Sequence, residues 1–136
     1  MLKKQDIIRE YLKAVKELGI PAHDMLVGAG GACVLYGVRE QTEDIDADVT
    51  DELFDKLLKT NKYKLSYFQM GSVAVEALEY NGVIDLHRRS AATQTSVVEG
   101  VHCYSVEQVL QQKLRLNRPK DQADIAALRA LLDEGV

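Results

Sequence analysis

Asp44, Asp46 and Asp48 occupy alternate positions in the segment Asp44-Ile45-Asp46-Ala47-Asp48-Val49. In an extended chain alternate side chains leave the same face, so this spacing gathers three carboxylates on one side and Ile45, Ala47 and Val49 on the other. Two uses fit such a row. Charges on an edge strand keep it from pairing with another chain. Alternatively, hard divalent cations such as Mg²⁺ or Mn²⁺ take carboxylate oxygen, and a row of aspartates supplies it. A further acid, Asp85, stands alone in the apolar run Val83-Ile84-Asp85-Leu86. A carboxylate in such company calls for a pairing cation or a metal. His87 shares its strand face and can reach the same place.

Two other features suit a polyanion. Gly30-Gly31 follows the apolar run Met25 to Gly28, and glycines between a strand and a helix let backbone N–H groups approach a phosphate. Lys113 falls on the apolar stripe formed by Val106, Val109, Leu110 and Leu114. Either its stem carries the ammonium to the rim, or the ammonium points into a cleft at a phosphate. Lys113, Arg115, Arg118 and Lys120 are the charged residues between Gln108 and Lys120, a local basic patch in an acidic chain. Arg115 and Arg118 also suit a helix C-terminus. Asp121 and Asp124 read as caps of the last helix and partners of Lys120 or Arg118. Cys33 and the tyrosines Tyr63, Tyr67 and Tyr80 read as core, and His23 and His102 have no ligand spacing.

The elements that must position these residues follow from periodicity. Apolar residues at helical spacing from Leu2 to Leu18 predict a helix stopped by Gly19 and Pro21. Met25 to Gly28 reads as a buried strand, Ala32 to Tyr36 as a short helix, Asp44 to Val49 as a strand, and Asp51 to Lys59 as a helix. Three strands follow, Tyr63 to Met70, Val73 to Tyr80 and Val83 to His87, the last two joined by the turn pair Asn81-Gly82. An extended stretch from Val97 to Tyr104 breaks at Gly100. Ser105, with Gln108 three residues on, opens a helix that Asn117 and Pro119 break, and a last helix runs to Gly135. The order predicts an α+β fold, a mixed sheet backed by helices.

The chain has 136 residues, 46% hydrophobic and 28% charged, which predicts one domain spanning 1–136 and excludes a disordered or low-complexity chain. Its net charge of −4 excludes a general polyanion binder. Cys33 and Cys103 form no framework, no signal peptide or membrane span is evident, and a cytoplasmic location is expected.

Read in order, these parts form a pattern: Val27-Gly28-Ala29-Gly30-Gly31-Ala32, Tyr36-Gly37-Val38-Arg39, Thr42-Glu43-Asp44-Ile45-Asp46, and a distant strand with Asp85. A second block is Lys113, then Arg118-Pro119-Lys120-Asp121, then Asp124-Ile125. The sequence resembles the nucleotidyltransferase superfamily with the polymerase-beta-like palm, and within it the abortive-infection and toxin–antitoxin branch. The resemblance implies that Asp44, Asp46 and Asp85 bind Mg²⁺ or Mn²⁺ and catalyse transfer of a nucleotidyl group from an NTP to a hydroxyl. Asp85 would also help deprotonate that hydroxyl. It implies that Gly30, Gly31, Arg39 and Lys113 bind the nucleotide. The acceptor would be a tRNA end, a protein or a small molecule, with a protein partner or a second copy as a further expectation. The alternative is a catalytically degenerate nucleotide- or partner-binding component of a toxin–antitoxin or defence system. Asp48 has no role in the pattern.

Overall fold

The computed structural model describes residues 1–89 and 94–134. Its helices are α1 (Lys4–Leu18), α2 (Ala29–Leu35), α3 (Asp51–Lys59), α4 (Val106–Leu116) and α5 (Gln122–Glu134). Its strands are β1 (Met25–Gly28), β2 (Ile45–Val49), β3 (Lys64–Met70), β4 (Val73–Glu79), β5 (Ile84–Arg88), β6 (Thr95–Val98) and β7 (Val101–Tyr104). They form one mixed sheet in the order β3-β4-β5-β2-β1-β7-β6, the α+β architecture expected from the sequence.

Local chemistry sets most boundaries. Gly19 ends α1 in the left-handed conformation at φ 64°, and Asn117 ends α4 the same way at φ 43°. The Thr50 hydroxyl accepts the Leu53 N–H at 3.2 Å and the Ser105 hydroxyl accepts the Gln108 N–H at 3.1 Å, capping α3 and α4. In the β4–β5 turn Asn81 Oδ1 accepts the N–H groups of Val83 and Ile84, and Gly82 takes φ 83°.

The strand period divides β2 as the sequence requires. Ile45, Ala47 and Val49 are buried in the larger apolar cluster with Ile7 and Tyr11 of α1, Phe54 of α3, and Ile84 and Leu86 of β5. The opposite face of β1 is covered by a second cluster, in which Leu26 meets Cys33, Tyr104, Val109, Leu110, Ile125 and Leu128. The acidic face of β2 therefore opens beside α4.

Four expectations need correction. β2 is the central strand, paired antiparallel with β1 and parallel with β5, so its carboxylates do not protect an edge. Asp44 lies in the bend before β2 rather than on it. Helix α2 starts at Ala29, three residues ahead of Ala32, and Gly30 and Gly31 sit inside its first turn. Ala29 takes φ 50°, a left-handed kink that turns the chain from strand to helix without a loop. Tyr67 is 64% exposed and so outside the core, whereas Tyr63 and Tyr80 stack with centroids 5.4 Å apart.

Candidate active site

The parallel register of β2 and β5 sets Asp46 beside Asp85 and Asp48 beside His87. Adjacent strands lie about 4.8 Å apart. With Asp44 folded back from the bend, one carboxylate oxygen from each of Asp44, Asp46 and Asp85 lies within 4.8 Å of the others. Asp46 and Asp85, distant in the chain, thus meet because the backbone ladder fixes them there. Burial, followed by the charges of Asp46 and Asp85, raises the Asp44 carboxyl above its ordinary pKa. Burial and then the charge of Asp46 do the same to Asp85. This group holds more negative charge than its surroundings neutralise.

His87 supplies part of the compensation. It is buried, with Nε2 3.0 Å from Asp46 Oδ1 and Nδ1 3.0 Å from the Glu76 carbonyl. Both partners accept, so both bonds form only when the ring carries two protons. Burial opposes that charge, but the hydrogen bond and charge of Asp46 outweigh it, and the His87 pKa is raised. The sequence places His87 on the right face; the structure adds its grip on Asp46.

Asp46 also lines a cleft of about 650 Å³ between the sheet and α4. Gly28, Ala29, Asp48 and Tyr104 form its floor, Phe68 and Val73 of the β3–β4 hairpin one wall, and Gln108, Gln112 and Lys113 of α4 the other. Arg115 and Arg118 stand on the α4 side as well. Asp48, which the motif left without a role, accepts a hydrogen bond from the Tyr104 hydroxyl, and the Tyr104 ring packs against Gly28. A Cβ on Gly28 would stand 3.2 Å from that ring, so glycine admits the tyrosine to the cleft floor.

The remaining expected residues form the support. The Lys113 side chain is only 6% exposed, with Nζ 3.2 Å from Asp124 Oδ2 and 3.4 Å from Asp121 Oδ1. Its stem does not run to the rim. Arg39 donates to Asp124 at 2.7 Å, and Arg118 holds Asp121 through Nε at 2.7 Å and Nη2 at 3.0 Å. Asp121 does pair with Arg118 as read from the sequence, whereas the partners of Asp124 are Arg39 and Lys113 rather than Lys120. Burial works against the Asp121 charge, but the Arg118 hydrogen bonds and the Lys113 ammonium bring its pKa to about 2. Gly30 lies under this network: a Cβ there would be 2.5 Å from Arg39 Nη1 and 2.8 Å from Thr42 Oγ1. Gly31 faces the core, where a Cβ would be 3.0 Å from Val27 Cγ1. The structure thus gathers Asp44, Asp46 and Asp85 and puts Lys113 in the cleft wall. The residues lining the cleft include Gly28 and Ala29 rather than Gly30, Gly31 or Arg39.

No protein-family model matches the chain, and no curated protein matches it in sequence. Solved structures match its fold. A candidate nucleotidyltransferase from Thermotoga maritima (TM1012) superposes with a TM-score of 0.56 at 17% identity, over 93% of this chain and 94% of its own. ANT(2")-Ia, solved in complex with adenylyl-2"-tobramycin, superposes with a TM-score of 0.58 at 16% identity, over 93% of this chain and 87% of its own. The fold is that of nucleotidyltransferases.

Proposed function

We propose that this protein is a metal-dependent nucleotidyltransferase that moves a nucleotidyl group from an NTP to a hydroxyl acceptor and releases pyrophosphate. One observation carries the reading: the parallel Asp46–Asp85 register, completed by Asp44, brings three carboxylate oxygens within 4.8 Å at the edge of a nucleotide-sized cleft. The donor set is all hard oxygen, and burial followed by the neighbouring carboxylates raises Asp44 and Asp85, so it suits Mg²⁺ or Mn²⁺. Asp44, Asp46 and Asp85 would hold the cation, which when bound supplies Lewis-acid stabilisation of the charge at the transferred phosphorus.

The chain's own groups have distinct tasks in this reading. Asp85, set beside Asp46 by the strand register, takes the proton of the acceptor hydroxyl. His87 holds Asp46 in one rotamer and offsets its charge. Lys113, in the cleft wall, lends positive charge to the phosphates together with Arg115 and Arg118. Gly30, Gly31 and Arg39 serve the nucleotide by building the wall behind it. The fold neighbour solved with a nucleotidylated product, adenylyl-2"-tobramycin, supports a hydroxyl on a small molecule as one acceptor class. A tRNA end and a protein side chain are the others, the latter two fitting a toxin-type activity in the cytoplasm. No helix among the described residues is long and apolar enough to cross a membrane.

The test is incubation with α-labelled NTPs, Mg²⁺ or Mn²⁺ and cell extract, with Asp46→Asn as control. Label entering RNA, protein or a small molecule, and absent with Asp46→Asn, is the expected result and identifies the acceptor. NTP binding without transfer would favour the alternative, a nucleotide- or partner-binding component of a toxin–antitoxin or defence system, and would overturn the enzymatic reading.

A further inference from the structure

The β3–β4 hairpin carries apolar side chains that do not join the core. Phe68 is 39% exposed and Val73 61% exposed, and both line the cleft together with Val75. The register pairs Phe68 with Val75, so these two stand side by side on one face of the hairpin. That face continues into the acidic site: the Phe68 ring meets His87 edge-on with centroids 5.1 Å apart, and His87 holds Asp46 at 3.0 Å. Across the cleft, α4 presents Gln108 and Gln112, amides able to both donate and accept. An apolar wall facing a pair of amides, one side chain away from phosphate chemistry, has the composition of a pocket for a flat ring with polar edges.

From this geometry we infer that Phe68, backed by Val73 and Val75, is the platform on which the nucleobase of the NTP stacks, and that Gln108 and Gln112 face its edge. The inference rests on the nucleotidyl-transfer reading and adds the residue that positions the donor. It commits to the base of the donor rather than to the acceptor. Every NTP carries a flat aromatic ring joined through ribose to the reacting phosphate, and the platform begins beside His87 and Asp46, where that phosphate must lie. An aromatic ring stacks on any base, so Phe68 would set affinity while the amides set preference.

The sequence contains no tryptophan, which gives the test a clean reporter. Binding of ATP and of inorganic tripolyphosphate, each with Mn²⁺, is measured by calorimetry on the full chain and on Phe68→Ala. Loss of a base–aromatic stack corresponds to about ten- to a hundredfold weaker ATP binding, and tripolyphosphate binding should stay the same. In Phe68→Trp, ATP binding should persist and ATP should quench the new emission, whereas tripolyphosphate should not. Equal affinity of Phe68→Ala and the native chain for ATP would overturn the platform, as would equal losses for ATP and tripolyphosphate, the mark of a ring that only shields His87. Should Phe68→Ala fail to fold, absence of ATP-specific quenching in Phe68→Trp overturns it as well. A native chain that binds neither ligand refutes the nucleotidyl-transfer reading itself, and the platform with it. A native chain that binds ATP while the Phe68 variants behave as overturning results refutes the platform alone.

Discussion

Lys113 offers the sharpest test of how the site is supported. Its ammonium is 3.2 Å from Asp124 and 3.4 Å from Asp121, and all three side chains are almost fully buried. Lys113→Met keeps the length and apolar body of the stem, so no cavity opens and the change isolates the charge. Removing one member of a buried ion pair costs about 3–5 kcal/mol, because the other charge is left without compensation. Here the stranded carboxylates retain other partners: Asp124 keeps Arg39 at 2.7 Å and Asp121 keeps Arg118 at 2.7 Å. The loss should therefore fall at the low end, about 3 kcal/mol. For a chain of this size that corresponds to a fall in Tm of roughly 10 °C. A lysine whose head reached solvent would lose only about 0–1 kcal/mol. Urea unfolding followed by circular dichroism measures the difference directly, and an unchanged slope with urea would show that the same surface is exposed on unfolding. The reasoning is falsified if Lys113→Met is within 1 kcal/mol of the native chain at the same slope.

Three further outcomes are expected. Asp121 has its pKa lowered to about 2 against about 4 when unfolded, so its contribution is complete above pH ~4 and lost as pH falls toward ~2; it is worth about 2 kcal/mol, and acid titration of stability should be shallower over that window in Asp121→Asn. Mn²⁺ at a hundred times its Kd should stabilise the native chain by about 2.7 kcal/mol. Asp46→Asn should abolish most of that gain while changing metal-free stability little, since relief of repulsion with Asp44 and Asp85 offsets the weakened His87 bond; a full Mn²⁺ response in this variant would remove Asp46 from the ligand set. Gly30→Ala should cost about 1–3 kcal/mol, because its Cβ would displace Arg39 from Asp124 and crowd Thr42. In an Arg39→Ala background the same change should cost less, and strict additivity of the two would show that Gly30 and Arg39 do not touch.

The acidic face of β2 was legible because strand alternation is local: Ile45, Ala47 and Val49 are buried on one face and Asp46 and Asp48 leave the other. Asp85 was legible as a lone charge in an apolar strand, yet its place beside Asp46 depends on a parallel register that no local pattern encodes. The start of α2 was missed because Gly30 and Gly31 imitate a loop, while the turn into the helix is made by Ala29 at φ 50°, a conformation that alanine does not advertise. Lys113 stood out on its apolar stripe, but its partners Asp121 and Asp124 come from beyond the break at Asn117, so periodicity within α4 could not name them. The cleft itself required tertiary structure, since Phe68, Gln108 and Tyr104 meet only when hairpin, helix and sheet are assembled.

The central position of β2 also bears on when during its making the molecule could become active. His87 and Asp46 are separated by 41 positions, and Arg39 and Asp124 by 85. Contacts of this range close late, after the hairpins that form locally. A nascent chain still lacking α5 would leave Arg39 and Lys113 without Asp124, and one lacking β5 would have Asp46 without Asp85 or His87. The acidic cluster and its support should thus form only once β5 and α5 have joined the fold, and in a refolding experiment the Mn²⁺ response should return in the slowest phase together with global structure. Chains truncated before β5 would carry Asp44 and Asp46 without Asp85, and so without the three-acid cluster.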